Sequence, residues 1–186
     1  MAAVYSAIDA TTGQRVAIKI ANYDSPTDPS VGARFQQETQ LSSRLSHENF
    51  AKTLGHGAYG GLLYFAMELI DGPTLEEVID NEAPLDPVRT ATIGMQLAKG
   101  LAAIHGAKIV HRDLKPANVV LVEQDDGDQL VKILDFGISY ALEYLEENDA
   151  KRFTAGGSRM GTPYYMAPEY LQAFIVQPSG DLYALG

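Results

Sequence analysis

Three side chains able to handle phosphate chemistry, Asp113, Lys115 and Asn118, sit inside one word, His111-Arg112-Asp113-Leu114-Lys115-Pro116-Ala117-Asn118. A second word, Asp135-Phe136-Gly137, begins 22 residues after Asp113. A site that handles a nucleoside triphosphate needs a cation for the phosphates, a carboxylate and an amide to hold magnesium, and a carboxylate beside the attacking hydroxyl. Each requirement has a candidate in this chain. Upstream, the apolar run Val16-Ala17-Ile18 ends on Lys19, and Glu38 stands 19 residues beyond that lysine.

The elements that must position these groups can be read from periodicity and turn chemistry. Residues 3–9 and 14–21 are β-rich and joined by Asp9-Ala10-Thr11-Thr12-Gly13, which predicts an antiparallel hairpin. A helix is expected from about Val31 to Leu45, with Glu38 on its apolar stripe. A carboxylate on a buried face needs a partner, because desolvating an unpaired charge costs several kcal/mol. A lysine from the sheet is the natural one. Residues 50–57 and 62–69 predict a second hairpin, followed by a lobe boundary near Ile70 to Gly72 and a capping-box helix start at Thr74-Leu75-Glu76-Glu77. Asp86-Pro87 then opens a long helix to about His105, with Val88, Ala91, Met95, Ala98, Leu101 and Ala102 on one stripe. The acidic, glycine- and hydroxyl-containing stretch from Ile138 to Met160 shows little periodicity and is expected to be a long surface loop.

Taken with these elements, the two words and Val16-Ala17-Ile18-Lys19 resemble the catalytic domain of eukaryotic-type serine/threonine protein kinases, in a bacterial-like form. The resemblance implies an α+β, two-lobed fold: a first lobe of antiparallel sheet plus one helix at residues 1–70, and a mostly helical second lobe at 71–186. It implies an enzyme that transfers the γ-phosphate of Mg-ATP to a protein hydroxyl, with ATP and Mg2+ as cofactors and a protein as substrate. Asp113 then corresponds to the catalytic-loop aspartate, Lys115 to a lysine facing the γ-phosphate, and Asn118 and Asp135 to the magnesium ligands. Lys19 corresponds to the α/β-phosphate lysine and Glu38 to its helix partner. Around the adenine, the resemblance implies Val4, Ala17, Met67, the Glu68 carbonyl, the Ile70 amide and Val120. Gly161-Thr162-Pro163-Tyr164-Tyr165-Met166-Ala167-Pro168-Glu169 resembles the substrate-docking turn and places Thr162 near Asp113 and Lys115. Lys115 and that stretch point to serine or threonine acceptors. Arg112 implies activation by loop phosphorylation, with Thr154 and Ser158 as the best acceptors.

Composition removes several other classes. With 24 acidic against 14 basic residues, a net charge of -10 and no basic run, a nucleic-acid surface is not expected. No cysteine is present, and the four histidines lack metal-ligand spacing, so thiolate and histidine zinc sites are not expected either. No apolar run reaches membrane-spanning length, and a cytoplasmic location is the expectation. Gly55-His56-Gly57-Ala58-Tyr59-Gly60 fits a dinucleotide-binding pattern, but it precedes a strand and is expected to be a hairpin turn. The resemblance also implies that the first strand, most of the glycine-rich loop and the later second-lobe helices lie outside these 186 residues. Asp181-Leu182-Tyr183-Ala184-Leu185-Gly186 resembles the start of the family's central buried helix, which implies that Asp181 holds the backbone of the catalytic loop. The rival from another class is a non-catalytic pseudokinase-like scaffold.

Overall fold

The structure, a computed structural model, describes residues 3–22, 46–125, 127–134, 163–173 and 175–186. It separates into two compact units. Among the described residues the first unit contains 3–22, Ser46 and 52–69. The second contains 47–51 and the described parts of 70–134 and 163–186.

The first unit is a four-stranded antiparallel sheet of β1 (Ala3–Ile8), β2 (Arg15–Asn22), β3 (Thr53–Tyr59) and β4 (Leu62–Glu68), in the order β1-β2-β4-β3. Alternation decides its faces. Ala17 and Lys19 on β2 and Leu63, Phe65 and Met67 on β4 are buried, whereas Ile18, Ile20, Tyr64 and Ala66 between them are only partly so. The turn of the first hairpin is set by Asp9, whose Oδ1 accepts from the Thr11 and Thr12 amides at 2.7 and 3.2 Å. The second hairpin turns at Gly60-Gly61, both at positive φ (57° and 78°), the backbone of a tight two-residue connection. That placement corrects the expectation for Gly55–Gly60. Gly55 and Gly57 lie inside β3 and only Gly60 is in the turn, because two successive left-handed residues suit Gly60-Gly61 and neither of the earlier glycines has positive φ.

The second unit is built on the hairpin of β5 (Val119–Glu123) and β6 (Gln129–Ile133), packed on α1 (Leu75–Glu82) and α2 (Pro87–Gly106). Two short helices, α3 (Pro168–Ala173) and α4 (Pro178–Leu185), follow. Both edges of the hairpin are occupied. Phe50 forms a parallel bridge with Ile133, the Ala51 amide donates to Ile133 O at 3.1 Å and the Ile133 amide donates to Asn49 O at 2.7 Å. On the other edge Thr74 bridges Val120 and the Leu121 amide donates to Pro73 O at 2.9 Å. Residues 50–52, expected in the second hairpin of the sheet, therefore precede β3, and Phe50 and Ala51 serve the second unit instead.

Helix α2 begins where Asp86 caps the Val88 and Arg89 amides, with Pro87 in the first turn. Its buried face differs from the stripe expected. Ile93, Leu97, Gly100, Leu101 and Ile104 face the core, while Val88 and Met95 are 74% and 54% exposed. The reason is area: Ile and Leu side chains remove far more apolar surface from water than the alanines of the rival stripe, so the helix turns its aliphatic side inward. In the same core Leu101, Ile104, Val131 and Ile133 are fully buried.

Helix α1 carries the expected capping box. The Glu77 amide donates to Thr74 Oγ1 at 3.2 Å, and Glu77 Oε2 accepts from the Thr74 amide at 2.7 Å. The Thr74 backbone, and then its hydroxyl, hold the Glu77 carboxyl below the usual glutamate range. A carboxylate lowered on folding stabilises fully above its unfolded pKa, and that contribution fades as pH falls through the folded value. Wild type is therefore expected to exceed Glu77→Gln in stability at neutral pH, and the two should converge in acid. Urea unfolding across a pH series checks this; a difference that does not narrow in acid would rule out the carboxylate as its source.

Candidate active site

In the first unit, antiparallel register fixes which side chains share a face. Lys19 lies opposite Val4 on one side and Phe65 on the other, and Ala17 lies opposite Ser6 and Met67. Directly opposed residues and residues two apart point the same way. Val4, Ala17, Lys19 and Met67, all nucleotide candidates, thus occupy one face of the sheet. Lys19 is 7% exposed, with its neighbours Ala17 and Met67 also buried, whereas Val4 on the edge strand is 58% exposed. Glu68 closes β4: its amide donates to Lys52 O at 2.8 Å and its Oε2 accepts from the Lys52 amide at 3.0 Å.

In the second unit, Asp113, Lys115 and Asn118 converge. The Lys115 ammonium donates to both oxygens of Asp113, at 3.0 and 2.7 Å. The Asn118 amide nitrogen donates to Asp113 O at 2.8 Å and to Asp113 Oδ2 at 2.9 Å. The short 3-10 turn Pro116–Asn118 brings them together, with Pro116 pre-set for its first position and the Asn118 amide donating to Lys115 O. The Asp113 carboxylate is thereby held in one orientation while about a quarter of its side chain, 25%, remains exposed. With both contacts of Asn118 made through its nitrogen, its Oδ1 is an oxygen donor of the kind hard divalent cations prefer. Among the described residues no group of three His, Asp or Glu side chains could hold a metal by itself.

The backbone under this cluster is strained and clamped. Arg112 has φ 71°, a left-handed conformation that costs a non-glycine residue of order 1 kcal/mol or more. Asp181, from the first turn of α4, secures it. Its Oδ2 accepts from the His111 amide at 2.8 Å and its Oδ1 from the Arg112 amide at 2.9 Å. His105 Nε2, from the last turn of α2, lies 2.7 Å from the same Oδ2. Asp181 is 2% exposed, so these contacts replace its water.

His111, 1% exposed, is a second tie. The Asp113 amide donates to Nδ1 at 3.3 Å, so Nε2 carries the proton and donates to Leu134 O at 2.9 Å. The Leu134 amide in turn donates to Asn118 O at 2.8 Å. Both ends of the 111–118 word therefore grip the residue immediately before Asp135. Ile70 and Val120 are also in this unit, Val120 buried on β5 and Ile70 partly exposed at the entry from β4. Glu38, Asp135, Thr154, Ser158 and Thr162 lie outside the described residues.

A shallow cleft opens beside Asp113 and Lys115, with Tyr165, Met166, Tyr170 and Ile175 among its walls. His105 was not among the candidates read from the sequence, since a histidine in the last turn of a helix has an ordinary explanation in the helix dipole. Nor were Asn49 and Gln96. Asn49 Nδ2 donates to Val131 O at 2.9 Å, and Gln96 accepts from the Val131 amide at 2.9 Å and donates to Gln129 O at 2.8 Å. Together they hold β6 on its approach to Leu134. Asp181→Ala, which leaves the His111 and Arg112 amides without their acceptor, is expected to lower the unfolding free energy by about 3 kcal/mol. Urea denaturation measures it; a loss under about 0.5 kcal/mol would mean that the loop holds itself.

The whole chain, residues 1–186, matches the family profile described as protein kinase domain. It is 35% identical over 187 residues to the serine/threonine-protein kinase pkn3 of Myxococcus xanthus, covering all of this chain and 34% of that protein. It is 34% identical over 186 residues to the serine/threonine-protein kinase PrkC of Bacillus subtilis, covering all of this chain and 27% of that protein. The crystal structure of the Mycobacterium tuberculosis PknI kinase domain superposes with a TM-score of 0.72 at 28% identity, over 98% of this chain and 64% of that one. The chain thus spans about a third or less of the length of these curated relatives. Its antiparallel first unit, its buried Lys19 and its clamped 111–118 loop are the protein kinase fold, and the chain belongs to the protein kinase domain family.

Proposed function

We propose that this domain is the catalytic part of a serine/threonine protein kinase, passing the γ-phosphate of ATP to a hydroxyl on a polypeptide. The observation that carries the reading is the Asp113 cluster: a carboxylate fixed by Lys115 and Asn118 on a loop that Asp181 braces from below. Asp113, a partly exposed carboxylate, is suited to accept or orient the proton of the attacking hydroxyl. Lys115, already at 2.7 Å from that carboxylate, can neutralise charge on the transferred phosphoryl group. Lys19, sequestered on the buried face of the sheet, supplies a cation for the α- and β-phosphates. Glu38 is its proposed partner.

Asn118 Oδ1 and the carboxylate of Asp135 would hold Mg2+, which when bound neutralises phosphate charge and fixes the chain of phosphates for in-line attack. Met67, Glu68 and Ile70, together with Ala17, Val4 and Val120, would receive the adenine. The cleft walled by Tyr165, Met166 and Tyr170 would take the substrate polypeptide beside its hydroxyl. Arg112, with Thr154, Ser158 and Thr162, is assigned to regulation by loop phosphorylation and to substrate docking. No helix among the described residues is long and apolar enough to cross a membrane. A net charge of -10 argues against a nucleic-acid partner, and a cytoplasmic location is part of the proposal.

The test is transfer of labelled phosphate from Mg-ATP to a panel of serine-, threonine- and tyrosine-containing peptides by the full-length protein. Incorporation into serine or threonine is expected, and Asp113→Asn should lower the rate by about 10²–10⁴-fold. Equal incorporation by wild type and Asp113→Asn, or none by either, would refute catalysis through this cluster. Incorporation into tyrosine alone would refute the acceptor class.

A further inference from the structure

Residues 72–74 run along the outer edge of β5 as a strap. The Leu121 amide donates outward to Pro73 O at 2.9 Å, and Thr74 pairs with Val120 before capping α1. The strap lies unusually close at one residue. A Cβ built on Gly72 would stand 2.4 Å from Leu121 O, 3.2 Å from Leu121 C and 3.1 Å from Val120 Cγ1. The first two obstacles are backbone, so no rotamer change relieves them; either the strap or β5 would have to move. Gly72 also holds φ 158°, outside the range that side-chain-bearing residues favour.

The position of this contact gives it a consequence. Two residues before Gly72 is Ile70, and one residue before Leu121 is Val120, the two groups of this unit assigned above to the base of the nucleotide. The spacing between the Ile70 backbone and the buried Val120 side chain is therefore set by how closely Gly72 approaches β5. We infer that Gly72 is a positioning residue for the nucleoside part of the nucleotide, acting through Val120 and the Ile70 amide and leaving the phosphate groups untouched. The inference rests on the nucleotide reading given above, and it assigns to a residue without a side chain the width of the slot that reads the base.

The experiment uses Gly72→Ala in the full-length protein, with Thr74→Ala as a comparison that weakens the start of α1 without adding an atom to the strap. Binding of a fluorescent adenine nucleotide and its displacement by ATP or by inorganic tripolyphosphate are measured for each. Gly72→Ala should weaken ATP by about tenfold or more while leaving tripolyphosphate within about twofold, a split that general loss of stability would not produce. In turnover the same change should appear in KM for ATP more than in kcat. Thr74→Ala should lower thermal stability with ATP affinity unchanged within about twofold. Should Gly72→Ala not fold, hydrogen exchange on the wild type supplies the readout, because a base seated against the strap should slow exchange of the Leu121 amide and tripolyphosphate should not. Equal ATP affinity in a folded Gly72→Ala, equal losses for both ligands, or a Leu121 amide indifferent to ATP would each overturn the inference. A wild type that binds no adenine nucleotide would instead overturn the nucleotide reading itself.

Discussion

One buried carboxylate decides whether the reactive cluster has a shape. Asp181 accepts from two successive amides, His111 and Arg112, which in an extended strand would point to opposite sides. Arg112 takes a left-handed φ at this point, and in the turn that follows the Lys115 ammonium meets the Asp113 carboxylate at 2.7 Å. The cost of the strained residue is offset by charge-assisted hydrogen bonds that are strong because they are sheltered from water. His105, reaching the same oxygen from α2, ties the arrangement to the best-packed helix of the unit.

From that point order spreads through the β5–β6 hairpin. His111 and Asn118 hold Leu134 by its carbonyl and its amide, which sets the end of β6. Gln96 and Asn49 hold the middle of the same strand from outside, doing with side chains what a neighbouring strand does with its backbone. The hairpin thus has no bare edge near the site, and the groups on it inherit the rigidity of a larger sheet.

The sequence made the chemistry easier to read than the geometry that supports it. Short words such as His111–Asn118 and Val16–Lys19 are dense in residue types that one reaction requires, so they were legible from the residues, as were the Thr74 capping box and the Asp86-Pro87 helix start, whose determinants lie within four residues of one another. The buried face of α2 was less legible, because two stripes of comparable period share Leu101, and the one with the larger aliphatic area is the one packed on β6. Gly55–Gly60 misled for a related reason: a glycine-rich run marks a turn only where φ is positive, and that is a property of the folded backbone. Gln96 and His105 carried no local signal, since their partners, Val131 and Asp181, are 35 and 76 residues away.

The five residues His47–Ala51 have a consequence for how such a domain can be taken apart. They belong to the second unit, while Ser46 before them and Lys52 after them belong to the first. Neither unit is a continuous stretch of chain, so no single break or crossover separates one from the other. An exchange that replaced the four-stranded sheet by a relative's would also replace Asn49, Phe50 and Ala51, and with them the outer partner of Ile133. Modularity that is plain in space is therefore denied to recombination, and these five positions can change only in company with the strand they border.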